Sequence, residues 1–69
     1  MDVDLSVMAN ELRIYYSNLY GETAVAIGLG SDCLYVYEHR KSIPHDLPRF
    51  ITDAGVKVEF RYVGKVMAP

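Results

Sequence analysis

Cys33, His39 and His45 are the side chains of this sequence best suited to hold a metal or to act as nucleophile and base. Thiolate, imidazole and carboxylate are all zinc donors, with Asp32, Glu38 and Asp46 as candidates for a fourth position. The spacing matches no compact metal knuckle. Cys33 and His39 also bracket one strand-like segment, which sets them roughly 20 Å apart at ~3.3 Å per residue. A nucleophilic cysteine needs its base within hydrogen-bond reach, so the same separation argues against catalysis. Gly28-Leu29-Gly30 supplies part of a nucleotide loop, but a hairpin follows where a helix N-terminus is required. His45-Asp46 reads as the cap of a short helix. The expectation is a chain with no catalytic residue, no metal and no cofactor, and not an enzyme.

Tyr35, Tyr37, Lys57, Glu59 and Arg61 form a different kind of constellation. Tyrosine is enriched where proteins meet, because its ring is apolar and its tip tolerates water. If Tyr35 and Tyr37 share a sheet face with Ala24, Ala26 and Gly28, small residues and rings make a shallow aromatic platform flanked by Lys57, Glu59 and Arg61. The competing use of the rings is cross-strand filling over those small residues.

Positioning these groups requires a sheet, and the sequence encodes one. From Val56 to Arg61 apolar and charged residues alternate strictly, the signature of a half-buried strand. Thr23–Gly30 reads as another strand, with Val25, Ile27 and Leu29 on one side. Leu34–Glu38 is a third, rich in strand-forming residues. A two-residue turn at Gly30-Ser31, of type II′, sets Ile27 opposite Leu34 and Val25 opposite Val36. Tyr35 and Tyr37 then fall on the other face, opposite Ala26 and Ala24. Slipping the register by one residue would reverse every assignment.

Helices complete the pattern. Asp4 to Tyr20 carries an apolar stripe of Leu5, Met8, Leu12, Tyr15 or Tyr16, and Leu19, capped by Asp2 or Asp4 and closed by a left-handed Gly21. Asp46 or Ser42 starts a short helix over Leu47–Ala54, with Pro48 in its first turn and Gly55 at its end. Gly64 marks a bulge or bend before Val66-Met67. The fold class is α+β, a single domain over residues 1–69 in the order α-β-β-α-β. Its sheet of three strands is mainly antiparallel, with the helices on the aliphatic face of Val25, Ile27, Leu34, Val36, Val58, Phe60 and Tyr62. Arg40 to Gly55 is long enough for a right-handed crossover. The uncharged Thr23–Gly30 strand is expected in the middle, antiparallel to the last.

A chain of 69 residues is near the lower limit for folding alone, burying only ~60% of its unfolded surface. Its single cysteine excludes an internal disulfide and favours a reducing, cytoplasmic setting. Self-association is the remedy left open. The net charge of −2 argues against a phosphate backbone as the main partner. The acidic start Met1-Asp2-Val3-Asp4 is unlike a secretory signal, and no apolar run has membrane-spanning length. No membrane partner is expected.

The segment "AVAIGLGSDCLYVYEH" followed by "IPHDLPRFITDAGVKVEFRYVGKVMAP" resembles a small accessory segment found beside some bacterial trypsin-like serine peptidase domains. The matching positions are Gly28, Leu47-Pro48, Gly55-Val56, Val58, Gly64 and Ala68-Pro69, within Thr23–Pro69. These are turn and core positions, so no catalytic residue carries over. The resemblance implies a compact, non-catalytic β-α-β unit, and the N-terminal helix lies outside it.

Together these readings predict a non-catalytic interaction or structural protein, self-associating or bound to a protein partner through its Tyr-rich face. Its size suits a bacterial or phage genome. The alternative is a small nucleic-acid or nucleotide-binding module stacking bases on Tyr35 and Tyr37, with Arg61, Lys57, Arg40 and Lys41 on phosphate.

Overall fold

The computed structural model describes residues 4–41 and 43–64. The readings that involve Asp2, Ser42, Val66-Met67 and Ala68-Pro69 lie outside the described residues. Helix α1 spans Leu5–Tyr20, strand β1 Val25–Leu29, strand β2 Cys33–Glu38, helix α2 Arg49–Ala54 and strand β3 Lys57–Tyr62. The class is α+β, as the periodicities require.

Asp4 caps α1, its carboxylate accepting from the backbone N–H of Ser6 at 3.1 Å and of Val7 at 3.4 Å. The buried stripe runs through Leu12 and Tyr16. Leu19, expected on that stripe, is 54% exposed. Four-residue steps carry the buried line from Leu12 through Tyr16 to half-buried Tyr20 instead, whose ring stacks on Tyr16 with centroids 6.1 Å apart. Gly21 does take a positive φ of 99°, but with ψ 156° it is not the left-handed cap that the sequence suggested.

The hairpin keeps the expected faces through a different turn. Ile27 pairs with Val36, Gly28 with Tyr35 and Leu29 with Leu34. The Gly30 N–H donates to the Cys33 carbonyl at 2.8 Å, so the loop is Ser31-Asp32 rather than Gly30-Ser31. Neither Gly30 nor a loop residue has positive φ, which excludes types I′ and II′. Because the register moved by two residues, side-chain parity survived.

Strand order is where the expectation fails. The sheet runs β1-β2-β3, with β2 central. β1 and β2 are antiparallel, but β2 and β3 are parallel, so the sheet is mixed. The connection through α2 is therefore a crossover between neighbouring strands, the usual solution for consecutive parallel strands. β2 takes the middle although it carries Glu38, whose buried carboxyl group lies against His45 on the core side. α2 begins at Arg49 with Pro48 in the cap position and no side-chain cap. Asp46 does not cap it; its carbonyl accepts from the Tyr16 hydroxyl at 2.8 Å.

One core results. Leu12, Tyr16, Ala24, Val25, Leu34, Val36, Ile43 and Ile51 form a buried cluster, with Val58 and Phe60 packed against it. Both helices thus contribute to the same side of the sheet. The Cα envelope is only 15 Å in its shortest dimension, room for one helical layer on one sheet. Among the described residues no second layer covers the other face.

Candidate functional site

The uncovered face is built in rows across the strands. Gly28, Tyr35 and Glu59 align in one row, Ala26, Tyr37 and Arg61 in the next, and Cys33 and Lys57 nearest the hairpin loop. Tyr35, Tyr37, Lys57, Glu59 and Arg61 therefore share one face. Ala24 does not belong to it: it is 1% exposed and joins the core on the helix side.

The two rings lie down rather than stand. A Cβ on Gly28 would come within 2.7 Å of Cε2 of Tyr37, and one on Gly30 within 2.9 Å of Cε2 of Tyr35. Each ring thus leans one row toward the hairpin loop, over a glycine. The rings stack with centroids 6.0 Å apart and planes 21° from parallel. Cross-strand filling and a continuous aromatic floor are here the same arrangement, and both phenols keep partial exposure. The Arg61 guanidinium stands 6.0 Å from the Tyr35 centroid and donates to Glu59 at 3.2 Å. Hydrogen bonding with the Cys33 side chain, then electrostatic repulsion from Cys33 and the Glu59 carboxylate, hold the Tyr35 phenol above its ordinary range, while Arg61 opposes them.

The chemistry-bearing residues are dispersed. Cys33 is buried at the start of β2 beside Gly30, while His39 follows the other end of the strand. The Nδ1–H of His39 donates to the Gly64 carbonyl at 2.9 Å, which fixes its tautomer. Among the described residues no group of three or more His, Cys, Asp and Glu side chains converges.

Sequence reasoning missed one polar cluster. Glu38 is 4% exposed on the core face, its Oε1 buried without a well-aligned donor and with His45 Nε2 against it. His45 is largely exposed and lies flat on Phe60. The signal was present, because Leu34, Val36 and Glu38 alternate onto one face.

Compared with protein-family models, curated proteins and solved structures, the chain matches none.

Proposed function

We propose that this is a non-catalytic interaction protein that self-associates, with the Tyr35–Tyr37 face as a contact surface. The observation that supports it is the flat, half-exposed pair of stacked rings on a face with no covering layer among the described residues. An aromatic centre beside a charged line of Lys57, Glu59 and Arg61 along β3 has the composition of a protein interface, apolar inside and polar at the rim. The resemblance of Thr23–Pro69 to an accessory segment, as read from the sequence, would agree with the non-catalytic part of this reading alone. The single thiol supports a reducing compartment such as the cytoplasm. No helix among the described residues is long and apolar enough to cross a membrane.

Sedimentation of the wild type and of Tyr35→Ser/Tyr37→Ser tests this reading. Loss of an associated species in the double variant, with its fold retained, supports it. Unchanged association and solubility in the variant contradict it.

Base stacking on the same rings is the second reading, favoured by Arg61 lying over Tyr35. Against it, Glu59 already engages that guanidinium. Binding to a short single strand that falls steeply as salt rises would select it.

A further inference from the structure

The outer edge of β3 carries its own information. The Val63 N–H donates to the Glu38 carbonyl at 2.9 Å, so in this parallel ladder the odd-numbered residues of β3 turn their amides toward β2. Val58, Phe60 and Tyr62 therefore turn theirs outward, and among the described residues no strand meets them. A free edge of this kind is a template for another strand unless something opposes pairing.

We propose that a second copy of this chain pairs with the β3 edge, antiparallel, about a two-fold axis at Phe60. Only certain registers use the outward amides, and in this one Val58, Phe60 and Tyr62 of each copy all find partners. Phe60 faces the partner's Phe60, and Val58 faces the partner's Tyr62. On the opposite face Glu59 lies directly across from the partner's Arg61, and Arg61 from the partner's Glu59. Opposite charges directly across an antiparallel pair attract and like charges repel. Moving the axis by one residue, to centre on Glu59, still joins outward amides but sets Glu59 against the partner's Glu59 and Lys57 against the partner's Arg61, two sets of like charges. Moving it by two, to centre on Val58, leaves exposed Tyr62 and Val63 outside the pairing. Among the alignments that the outward amides allow, charge and apolar contact thus select this one.

The product is one continuous six-stranded sheet, two copies of the three strands present here. The perpendicular two-fold places both Tyr35–Tyr37 floors on the same side. This edge contact shares Glu59 and Arg61 with the rim of the Tyr35–Tyr37 contact but does not use the rings, so the tyrosine changes separate the two.

Sedimentation of charge variants, each checked for fold by circular dichroism, tests the edge. Glu59→Arg alone and Arg61→Glu alone each create like-charge pairs across the two-fold, and each is expected to weaken dimerisation on the order of tenfold or more. An equimolar mixture of the two variants, and the double variant E59R/R61E, restore opposite charges and are expected to dimerise like the wild type. Single variants that associate as tightly as the wild type, or a mixture of folded variants that fails to recover, overturn the proposal. Dissociation by Tyr35→Ser/Tyr37→Ser with no response to charge also overturns it, and leaves the Tyr-face reading standing. Recovery in the mixture with no response to the tyrosine changes supports the edge and removes the face.

Discussion

The imidazole of His45 lies face to face with the Phe60 ring, the centroids 4.1 Å apart and the planes 6° from parallel. This stacking holds Nε2 against the buried carboxylate of Glu38 and fastens the segment before α2 to the end of the sheet. The adjacent Asp46 carbonyl, which accepts from Tyr16, fastens the same segment to α1. Between them these contacts anchor the β2–β3 crossover.

His45→Ala should therefore destabilise the fold by about 1–3 kcal/mol, because a buried carboxylate loses the group that faces it. Glu38→Leu in the same His45→Ala background should recover much of that loss, since an aliphatic side chain needs no partner there. Urea unfolding midpoints of the single and double variants measure both. A double variant weaker than His45→Ala would show that Glu38 stabilises the fold by itself.

The glycines beneath the two rings should respond unequally. At Gly30 a Cβ meets Cys33 Sγ at 2.7 Å and the Cys33 carbonyl at 3.1 Å, so the hairpin backbone must give. At Gly28 the nearest atoms all belong to the Tyr37 side chain, which can swing away. Gly30→Ala should cost about 1–3 kcal/mol, and Gly28→Ala less, with a more exposed Tyr37. Thermal midpoints and tyrosine fluorescence quenching report the two effects.

Burial, ahead of repulsion by Tyr15, Tyr20, Asp46 and Glu38, pushes the Tyr16 phenol well above its ordinary value. A phenol raised in the folded state contributes stability that is complete below the unfolded value, near ~10, and lost as pH climbs through the folded one. Alkaline titration followed by phenolate absorbance should show one tyrosine ionising only as the fold is lost. In Tyr16→Phe that late component should disappear.

At the other end of the scale, the Ser6 hydroxyl, with the Val7 and Ser6 amides, holds the Asp4 carboxyl below its ordinary value. Stabilisation from a depressed carboxyl is present above the unfolded value of ~3.9 and fades as pH falls through the folded one. Helicity should therefore decline in acid. Asp4→Ala should lower it already at neutral pH, and circular dichroism would then show a smaller acid-dependent change in the variant.

Much of this fold was legible because parity is robust. Val25, Ile27, Leu34, Val36, Val58 and Phe60 alternate, and any even shift of register leaves them on one side. The turn itself was not legible, since Gly30-Ser31 and Ser31-Asp32 give the same faces. Strand order escaped because Glu38 made β2 look unfit for the centre, when its carboxyl group is buried against a histidine from the crossover. Leu19 was misplaced because three- and four-residue steps from Leu12 diverge within two turns, and tertiary contact with Asp46 selects Tyr16. The five residues proposed for the contact face do share one side. That their rings would lie over Gly28 and Gly30 depended on the two-residue shift.

Oxidative footprinting of the tyrosines across protein concentration tests the contact face most directly. Tyr35 and Tyr37 should lose reactivity together as the protein associates, while exposed side chains on the outer surface of α1 keep theirs. Equal reactivity of Tyr35 and Tyr37 in monomer and assembly would contradict a contact through these rings.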